Sequence, residues 1–269
     1  MTEPVIAEIP TGPVEVPPAI SAVVGTAELE PVWRNELGGL TFRAVDGSSV
    51  RYAKWVAAGT PELDLMAEAE RLAWASTWIP VPTVVEVGAD EDGAWLVTED
   101  LGGQSAVSHR WCREPAVAAA AIGHGLRQLH DRLPVDPCPF DWSVTRRLQR
   151  ADVRVADGDG PSDWSPEHRH LTLDTARARL GEPPAVDRLV VCHGDACAPN
   201  TLLRDDGTFA GHVDLGSLGV ADRWADIAVA TWSLNWNFTS SHEPVFYAAY
   251  GIDPDPERIA YYRLLWDLA

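Results

Sequence analysis

Residues 192–200 read CHGDACAPN, and residues 213–216 follow as VDLG. Asp195, Asn200 and Asp214 bring three oxygen donors into stretches of small residues that bury little. Residues 200–204 and 208–214 flank Asp205-Asp206-Gly207, and a two-residue Asp206-Gly207 turn pairs Asp205 with Thr208. Counting outward from that pair sets Asn200 opposite Val213, next to Asp214. The amide oxygen and the carboxylate then meet, and two hard oxygen ligands with room for water and phosphate oxygens are what Mg2+ accepts. Asp195, on the preceding loop, is a separate carboxylate able to orient a hydroxyl. Any one of the three could be a turn residue or a hairpin-end cap, but all three at these spacings point to one pocket.

Lys54 is the only lysine, the rest of the 21 basic residues being Arg, which suggests a need for a compact point charge there. Glu68 lies between Leu65 and Leu72 on the apolar stripe of the next helix, and a carboxylate on a buried face calls for a charged partner. Lys54 fills that role, unless Glu68 reaches the stripe edge and pairs with Arg71. A Lys paired with a helix Glu is one way to position nucleotide phosphates. Gly38-Gly39, ahead of Lys54, is either a phosphate-approaching loop or a plain turn, since it lacks the full GxGxxG pattern. Cys192, His193 and Cys197 lack a second ligand pair at zinc spacing, so the four cysteines read as reduced structural thiols. A metal hydrolase built on His193 and the two Asp lacks a second His at ligand spacing.

These side chains need elements to hold them. Residues 1–22, with Pro4, Pro10, Pro13, Pro17 and Pro18, read as an extended arm. Residues 40–45 and 50–56 read as strands around Asp46-Gly47, and residues 84–87 and 94–98 as strands around a turn at 90–93. Between them a helix is signalled by Thr60 as N-cap, Pro61 at N1 and Glu62 in the first turn, with Leu65, Ala69 and Leu72 as its stripe. Residues 115–129 form an Ala-rich helix, and residues 224–236, apolar nearly all round, a buried one. Strands before and helices after residues 99–103 divide the chain into the arm (1–22), an N-terminal lobe (23–101) and a C-terminal lobe (102–269). Residues 157–167, DGDGPSDWSPE, are a solvated acidic loop or a cation-binding lid.

The formal charge of −19 argues against nucleic acid or anionic membrane as a partner and favours a cationic small molecule. No Lys or Arg precedes Arg34 and no apolar run approaches a membrane span, so a cytoplasmic protein is expected.

The stretches CHGDACAPN at 192–200, DLGSLGVADRWADIA at 214–228, YAK at 52–54, AEAERLAW at 67–74, CPFD at 138–141 and YYRLL at 261–265 resemble the aminoglycoside phosphotransferase family, most closely its 3′-O-phosphotransferase branch. The resemblance implies an α+β, two-lobed, protein-kinase-like fold, with an antiparallel sheet and helix in the N-terminal lobe and a mainly helical C-terminal lobe. It implies Mg2+ with ATP or GTP as cofactors. By position, Asp195 would be the catalytic base, Asn200 and Asp214 the metal ligands, and Lys54 the phosphate-binding lysine with Glu68 its partner. Gly39 would lie in the phosphate loop, Tyr52 would stack on the adenine, and the backbone of Thr98 and Asp100 would hydrogen-bond its edge. His193 would brace the loop.

The acceptor side departs from the family pattern. Ser217 stands where aminoglycoside-specific members usually have Arg, and Trp232, Ser233 and Trp236 replace polar residues on the following helix. Trp266-Asp267 stands where an acidic pair is expected, and Asp163 and Glu167 fall in the substrate loop beside Ser165 and Pro166. The candidate acceptor contacts are therefore Asp163, Glu167, Trp232, Trp236, Trp266 and Asp267. The implied function is an antibiotic O-phosphotransferase, with an aminoglycoside as default acceptor. The alternative, favoured by the missing acids and added Trp, is a tuberactinomycin-type cyclic peptide (capreomycin or viomycin). A non-catalytic nucleotide-binding module is counted against by the intact set Lys54, Glu68, Asp195, Asn200 and Asp214. No protein partner is expected.

Overall fold

The computed structural model describes residues 9–61 and 63–269, so the expectations for Pro4 and Glu62 lie outside the described residues. The chain divides into two compact units, Met1–Leu101 and Gly102–Ala269.

The first unit carries helix α1 (Pro18–Val24), strands β1 (Glu28–Arg34), β2 (Leu40–Asp46) and β3 (Ser49–Ala57), helix α2 (Leu65–Ala75), and strands β4 (Val84–Ala89) and β5 (Gly93–Glu99). The strands form one antiparallel sheet in the order β1-β2-β3-β5-β4. Alternation along β3 sorts its side chains between the two faces. Ala53 joins Phe42, Val97 and Ile20 of α1 in one buried cluster, whereas Lys54 points to the opposite face and bonds to α2.

Three details differ from the sequence reading. The arm does not stay extended over its last residues: Pro18 takes the first helical position, where its missing N–H costs nothing, and Ile20 is fully buried. Helix α2 starts at Leu65 rather than at Pro61: Asp64 accepts the Ala67 N–H (2.9 Å) as the N-cap, and the Thr60 hydroxyl donates back to the Ala57 carbonyl (2.8 Å). Strand β1 was not anticipated, since Pro31 interrupts its alternation and sits at a register shift.

The second unit is mainly helical. In chain order it holds β6 (Gln104–Ser105), α3 (Pro115–Arg132), α4 (Val144–Asp157), α5 (Leu173–Leu180), β7 (Leu189–Cys192), β8 (Thr201–Leu203), β9 (Phe209–His212), β10 (Gly219–Asp222), α6 (Trp224–Asn237), α7 (Glu243–Tyr250) and α8 (Pro256–Leu268). Ile122, Leu126, Ile227, Leu234, Phe246 and Leu265 share one core. Every residue of α6 from Trp224 to Leu234 is buried, as its nearly all-round apolar character requires. Gly123 lets α3 lie against α7, because a Cβ there would come within 2.7 Å of the Phe246 carbonyl oxygen. Among the described residues no helix is long and apolar enough to cross a membrane.

Ile20→Ala should destabilise the protein by about 2–5 kcal/mol, the cost of a large-to-small change in a closed core. Chemical denaturation reads this, and a loss below about 1 kcal/mol would show that α1 is not part of the sheet's core.

Candidate active site

The loop that follows β7 is held from beneath by one carboxylate. Asp226, on α6 and 1% exposed, accepts the His193 N–H at 2.6 Å and the Gly194 N–H at 2.9 Å, and lies 3.0 Å from His130 Nε2. His130 Nδ1 in turn lies 2.7 Å from the Tyr250 hydroxyl. Burial pushes the Asp226 carboxyl up, but the hydrogen bond of His130 and the Gly194 amide outweigh it and hold the group below the usual carboxylate range. Gly194 has φ +85, and a Cβ there would lie 2.0 Å from the Ser217 carbonyl oxygen, so only glycine fits.

His193 is fully buried and uses both ring nitrogens. Nδ1 accepts the Asp195 N–H at 3.2 Å, so Nε2 is left to donate to the Val213 carbonyl at 3.0 Å. The far end of the loop is fixed by Ser233 Oγ, which accepts the Ala198 N–H (2.9 Å), and by Ser105 Oγ, which donates to the Pro199 carbonyl (2.9 Å).

Asn200 and Asp195 meet directly. The Asn200 amide nitrogen donates to both the Asp195 carbonyl and Oδ2, each at 3.0 Å, so its own Oδ1 is kept as an acceptor. Asp195 Oδ1 is buried and has no hydrogen-bond partner. Burial, with the neighbouring Asp214 charge, pushes the Asp195 carboxyl up, so these two carboxylates lie close enough to repel. Asp214 has φ +64, the only positive φ outside glycine among the described residues. Such strain persists where surrounding structure fixes it. The Asp214 carboxylate and the Asn200 amide oxygen form an all-oxygen donor pair beside the orphaned Asp195 oxygen, and a divalent hard cation fits such a pair.

The hairpin delivers Asn200 beside Asp214 by a different route from the one expected. Gly207 N–H bonds to the Arg204 carbonyl (2.9 Å) and Arg204 N–H to the Thr208 carbonyl (2.8 Å), so the loop has three residues rather than two. A bulge between Leu202 and Leu203 absorbs the extra residue and restores the register Thr201↔His212. Val213 N–H then bonds to the Asn200 carbonyl at 3.0 Å.

In the first unit, Lys54 Nζ donates to Glu68 Oε1 at 2.7 Å, and Glu68 is 4% exposed. Arg71 donates to the Ala67 carbonyl at 3.0 Å. Tyr52, two residues from Lys54 and on the same face, pairs across the sheet with the buried Thr98. Its hydroxyl is pushed up by burial and by the Asp100 charge, against the pull of Arg43.

Two sequence expectations change here. The Asp100 N–H donates to the Val50 carbonyl at 3.2 Å and is committed within the sheet. At the Gly38-Gly39 turn, Asn35 Oδ1 accepts the Gly39 N–H (2.7 Å) and the Leu37 N–H (3.1 Å), and Gly38 N–H bonds to the Asn35 carbonyl (3.0 Å). The loop therefore does not offer these amides to a phosphate. Asn35, whose side chain closes turns of this kind, is the residue that the sequence reading passed over.

The expected acceptor residues are scattered in their roles. Asp163 Oδ2 accepts from Gly160 N–H (3.0 Å) and Ser162 Oγ (3.4 Å) within its own turn. Glu167 Oε1 accepts the Trp232 Nε1–H at 3.3 Å. Trp232 is buried against Trp236, whose ring lies 5.0 Å away and is 50% exposed. Trp266 is partly buried on α8. Asp267 accepts from the Ser165 N–H (3.2 Å), the Ser165 hydroxyl and His168 Nδ1 (2.5 Å). The acidic segment is solvated at Asp157, Asp163 and Glu167, while Trp164 is buried and Ser165 is tied to α8.

Asp226, His130 and Ser233 were missed. Asp226 carried a usable signal, being a lone carboxylate in the apolar run 224–236, the same argument that identified Glu68. The cluster His130, Cys192 and Asp226 has the ligand types of a metal site, but each is already spent within the fold, Cys192 Sγ on the Asp222 carbonyl (3.4 Å).

Residues 38–262 match the model of the phosphotransferase enzyme family. The chain is 41% identical over 229 residues to an aminoglycoside 3′-phosphotransferase of Streptomyces fradiae, covering 80% of this chain and 84% of the relative. It is 34% identical over 266 residues to a streptomycin 3″-kinase of Streptomyces griseus, covering 93% and 95%. The solved structure of an aminoglycoside phosphotransferase of Streptomyces rimosus with ADP and streptomycin superposes with a TM-score of 0.72 at 34% identity, covering 93% of this chain and 95% of that one. That likeness carries the α+β, protein-kinase-like fold.

Asp226→Ala should cost about 3–5 kcal/mol, because it leaves buried donors without their acceptor. The Asp226 carboxyl sits below its unfolded value, so its contribution is present above about pH 4 and lost as pH falls through the lowered value. Urea denaturation across the acid range should show a shallower loss for Asp226→Asn than for the parent. Equal acid slopes would refute the assignment of that charge.

Proposed function

The chain belongs to the aminoglycoside phosphotransferases of the phosphotransferase enzyme family, ATP-dependent enzymes that act on an alcohol group, and we propose that this member transfers the γ-phosphoryl group of ATP to a hydroxyl of an aminoglycoside. The observation that carries the reading is Asp195, whose Oδ1 is buried and unpartnered on a loop otherwise hydrogen-bonded along its length.

Asp195 Oδ1 takes the proton of the acceptor hydroxyl as the new O–P bond forms, and the bond from the γ-phosphorus to its bridging oxygen breaks, with ADP leaving on that oxygen. Asn200 holds the carboxylate in orientation through Oδ2. Asn200 and Asp214 are assigned to hold Mg2+, which when bound neutralises phosphate charge. Lys54, kept as an extended ammonium by Glu68, is assigned to the nucleotide phosphates, and Tyr52 and Thr98 to the adenine. The ADP named in the Streptomyces rimosus structure supports an adenine nucleotide rather than GTP. Catalysis of this kind rests on positioning and charge, which suits a rigidly held loop.

For the acceptor, the relatives' names support an aminoglycoside, and the net charge of −19 suits a polycation. We assign a 3′-type hydroxyl from the 41% identical relative, with the streptomycin 3″-hydroxyl as second reading from the relative matched over 93% of the chain. The cyclic-peptide alternative loses its main support, because Trp232 is buried between His168, Arg263 and Trp236 and does not offer a new surface.

ADP release with Mg-ATP, with mass spectrometry of each product, should show turnover of kanamycin-like compounds or streptomycin and none of capreomycin; the reverse pattern would refute the acceptor assignment. Asp195→Ala should lower kcat by on the order of 100-fold to 10,000-fold while nucleotide binding, read by calorimetry, changes little. Lys54→Arg keeps the charge but should raise the KM for ATP several-fold, since the broader guanidinium cannot reproduce the 2.7 Å contact in the same place. Unchanged kinetics would remove Lys54 from the nucleotide site.

A further inference from the structure

We propose that Ser233 is a positioning residue for the catalytic base: together with Asn237 it fixes residues 197 and 198, and through them holds the Asp195–Asn200 pair in its reacting geometry. This rests on the assignment of Asp195 above.

Ser233 lies on α6 seven residues after Asp226. Seven residues are nearly two helical turns, so the two side chains share one face of α6, about 10 Å apart along the axis. That face meets the loop twice. Asp226 takes the N–H groups of His193 and Gly194, and Ser233 Oγ takes the Ala198 N–H at 2.9 Å. Asp195 lies between the two attachments, and Asn200 follows two residues after the second. One rigid helix therefore sets the span that carries the base, and the bonds from Asn200 Nδ2 back to Asp195 close it.

The Ser233 hydroxyl is fully used. It is buried, and its oxygen accepts twice, from the Ala198 N–H and from Asn237 Nδ2 at 3.1 Å. Asn237, the last residue of α6, also donates to the Ser233 carbonyl at 2.8 Å, which holds its amide in place. With both lone pairs of Oγ occupied, the hydroxyl hydrogen remains to be donated. The Cys197 thiol receives it, and the same thiol hydrogen-bonds with Asp195 while Asp195 Oδ1 stays open. A chain of contacts thus runs from Asn237 through Ser233 and Cys197 to the base. Ala198 is itself buried, so without Ser233 Oγ its N–H has no acceptor and the loop must shift to find one. A shift of about 1 Å at a base is enough to slow transfer strongly. Ser233 is closed to solvent, so it acts on the reaction through the loop rather than on either substrate.

The test compares Ser233→Ala, Ser233→Thr, Asn237→Ala and the double variant Ser233→Ala/Asn237→Ala. Without substrates, amide hydrogen exchange over residues 196–200 should be faster in Ser233→Ala than in the parent, and near the parent in Ser233→Thr, which keeps the hydroxyl. With Mg-ATP and the aminoglycoside the parent turns over, Ser233→Ala should lower kcat roughly 10-fold to 100-fold, with both KM values within about twofold of the parent. Ser233→Thr should recover most of that loss. Asn237→Ala should lower kcat less, and the double variant should match Ser233→Ala, because Asn237 acts through Ser233. A raised KM at unchanged kcat, a Ser233→Thr variant as slow as Ser233→Ala, or single effects that multiply would each overturn the proposal. Unchanged exchange in Ser233→Ala would overturn it whatever the parent turns over. Parental kcat in Asp195→Ala, a variant that touches neither Ser233 nor Asn237, would sink the base assignment and this proposal with it. A parent that turns over no aminoglycoside would sink the acceptor reading alone, and the exchange comparison would still decide the anchoring. Should Ser233→Ala not fold, Asn237→Ala and Ser233→Thr carry the same comparisons.

Discussion

The second unit is organised around the Asp226 carboxylate. A buried charge is tolerated only when hydrogen bonds replace its water, and here two backbone N–H groups and His130 do so. The requirement works in both directions: α6 must be buried to bring the carboxylate under the loop, and the loop must turn at Gly194 to present its amides. His130 and Tyr250 extend the same network into α3 and α7. One side chain therefore couples helix packing to the conformation of residues 193–195.

Three buried or partly buried carboxylates differ in how fully they are satisfied, and the difference sorts their roles. Asp226 has donors on both oxygens and is structural. Glu68 is matched to Lys54 and thereby fixes the one ammonium of the chain. Asp195 has the Asn200 amide on one oxygen and nothing on the other. A buried acceptor left open in this way costs free energy unless a ligand completes it, which is what a base waiting for a hydroxyl proton requires. Strain at Asp214, with φ +64, marks the same place from the backbone side.

Residues 163–168 and the end of α8 show how side-chain pairing decides which carboxylates stay open to solvent. Asp267 is spent on Ser165 and His168, and the substituted Trp232 is a packing residue. Asp163 and Glu167 stay exposed, as does the Trp236 ring. Composition alone gives an acidic protein suited to cations; only side-chain pairing separates carboxylates that are available from those already used.

Periodicity and local pairing determined the Lys54–Glu68 contact, the burial of α6 and the pairing of Asn200 with Val213, because each follows from residues close in sequence or from the fixed repeat of a helix or strand. The pairing survived even though the turn has three residues, since a bulge removed the offset. Tertiary structure alone decided that α1 packs on the sheet through Ile20, that Asn35 occupies the amides of the Gly38-Gly39 turn, and that Asp267 is consumed by Ser165 and His168. Ile20 finds its partners across other strands, and Asp267 finds its own about a hundred residues back along the chain. A sequence states which groups need partners; which of several candidates supplies them depends on the positions that folding gives to residues far apart in the chain.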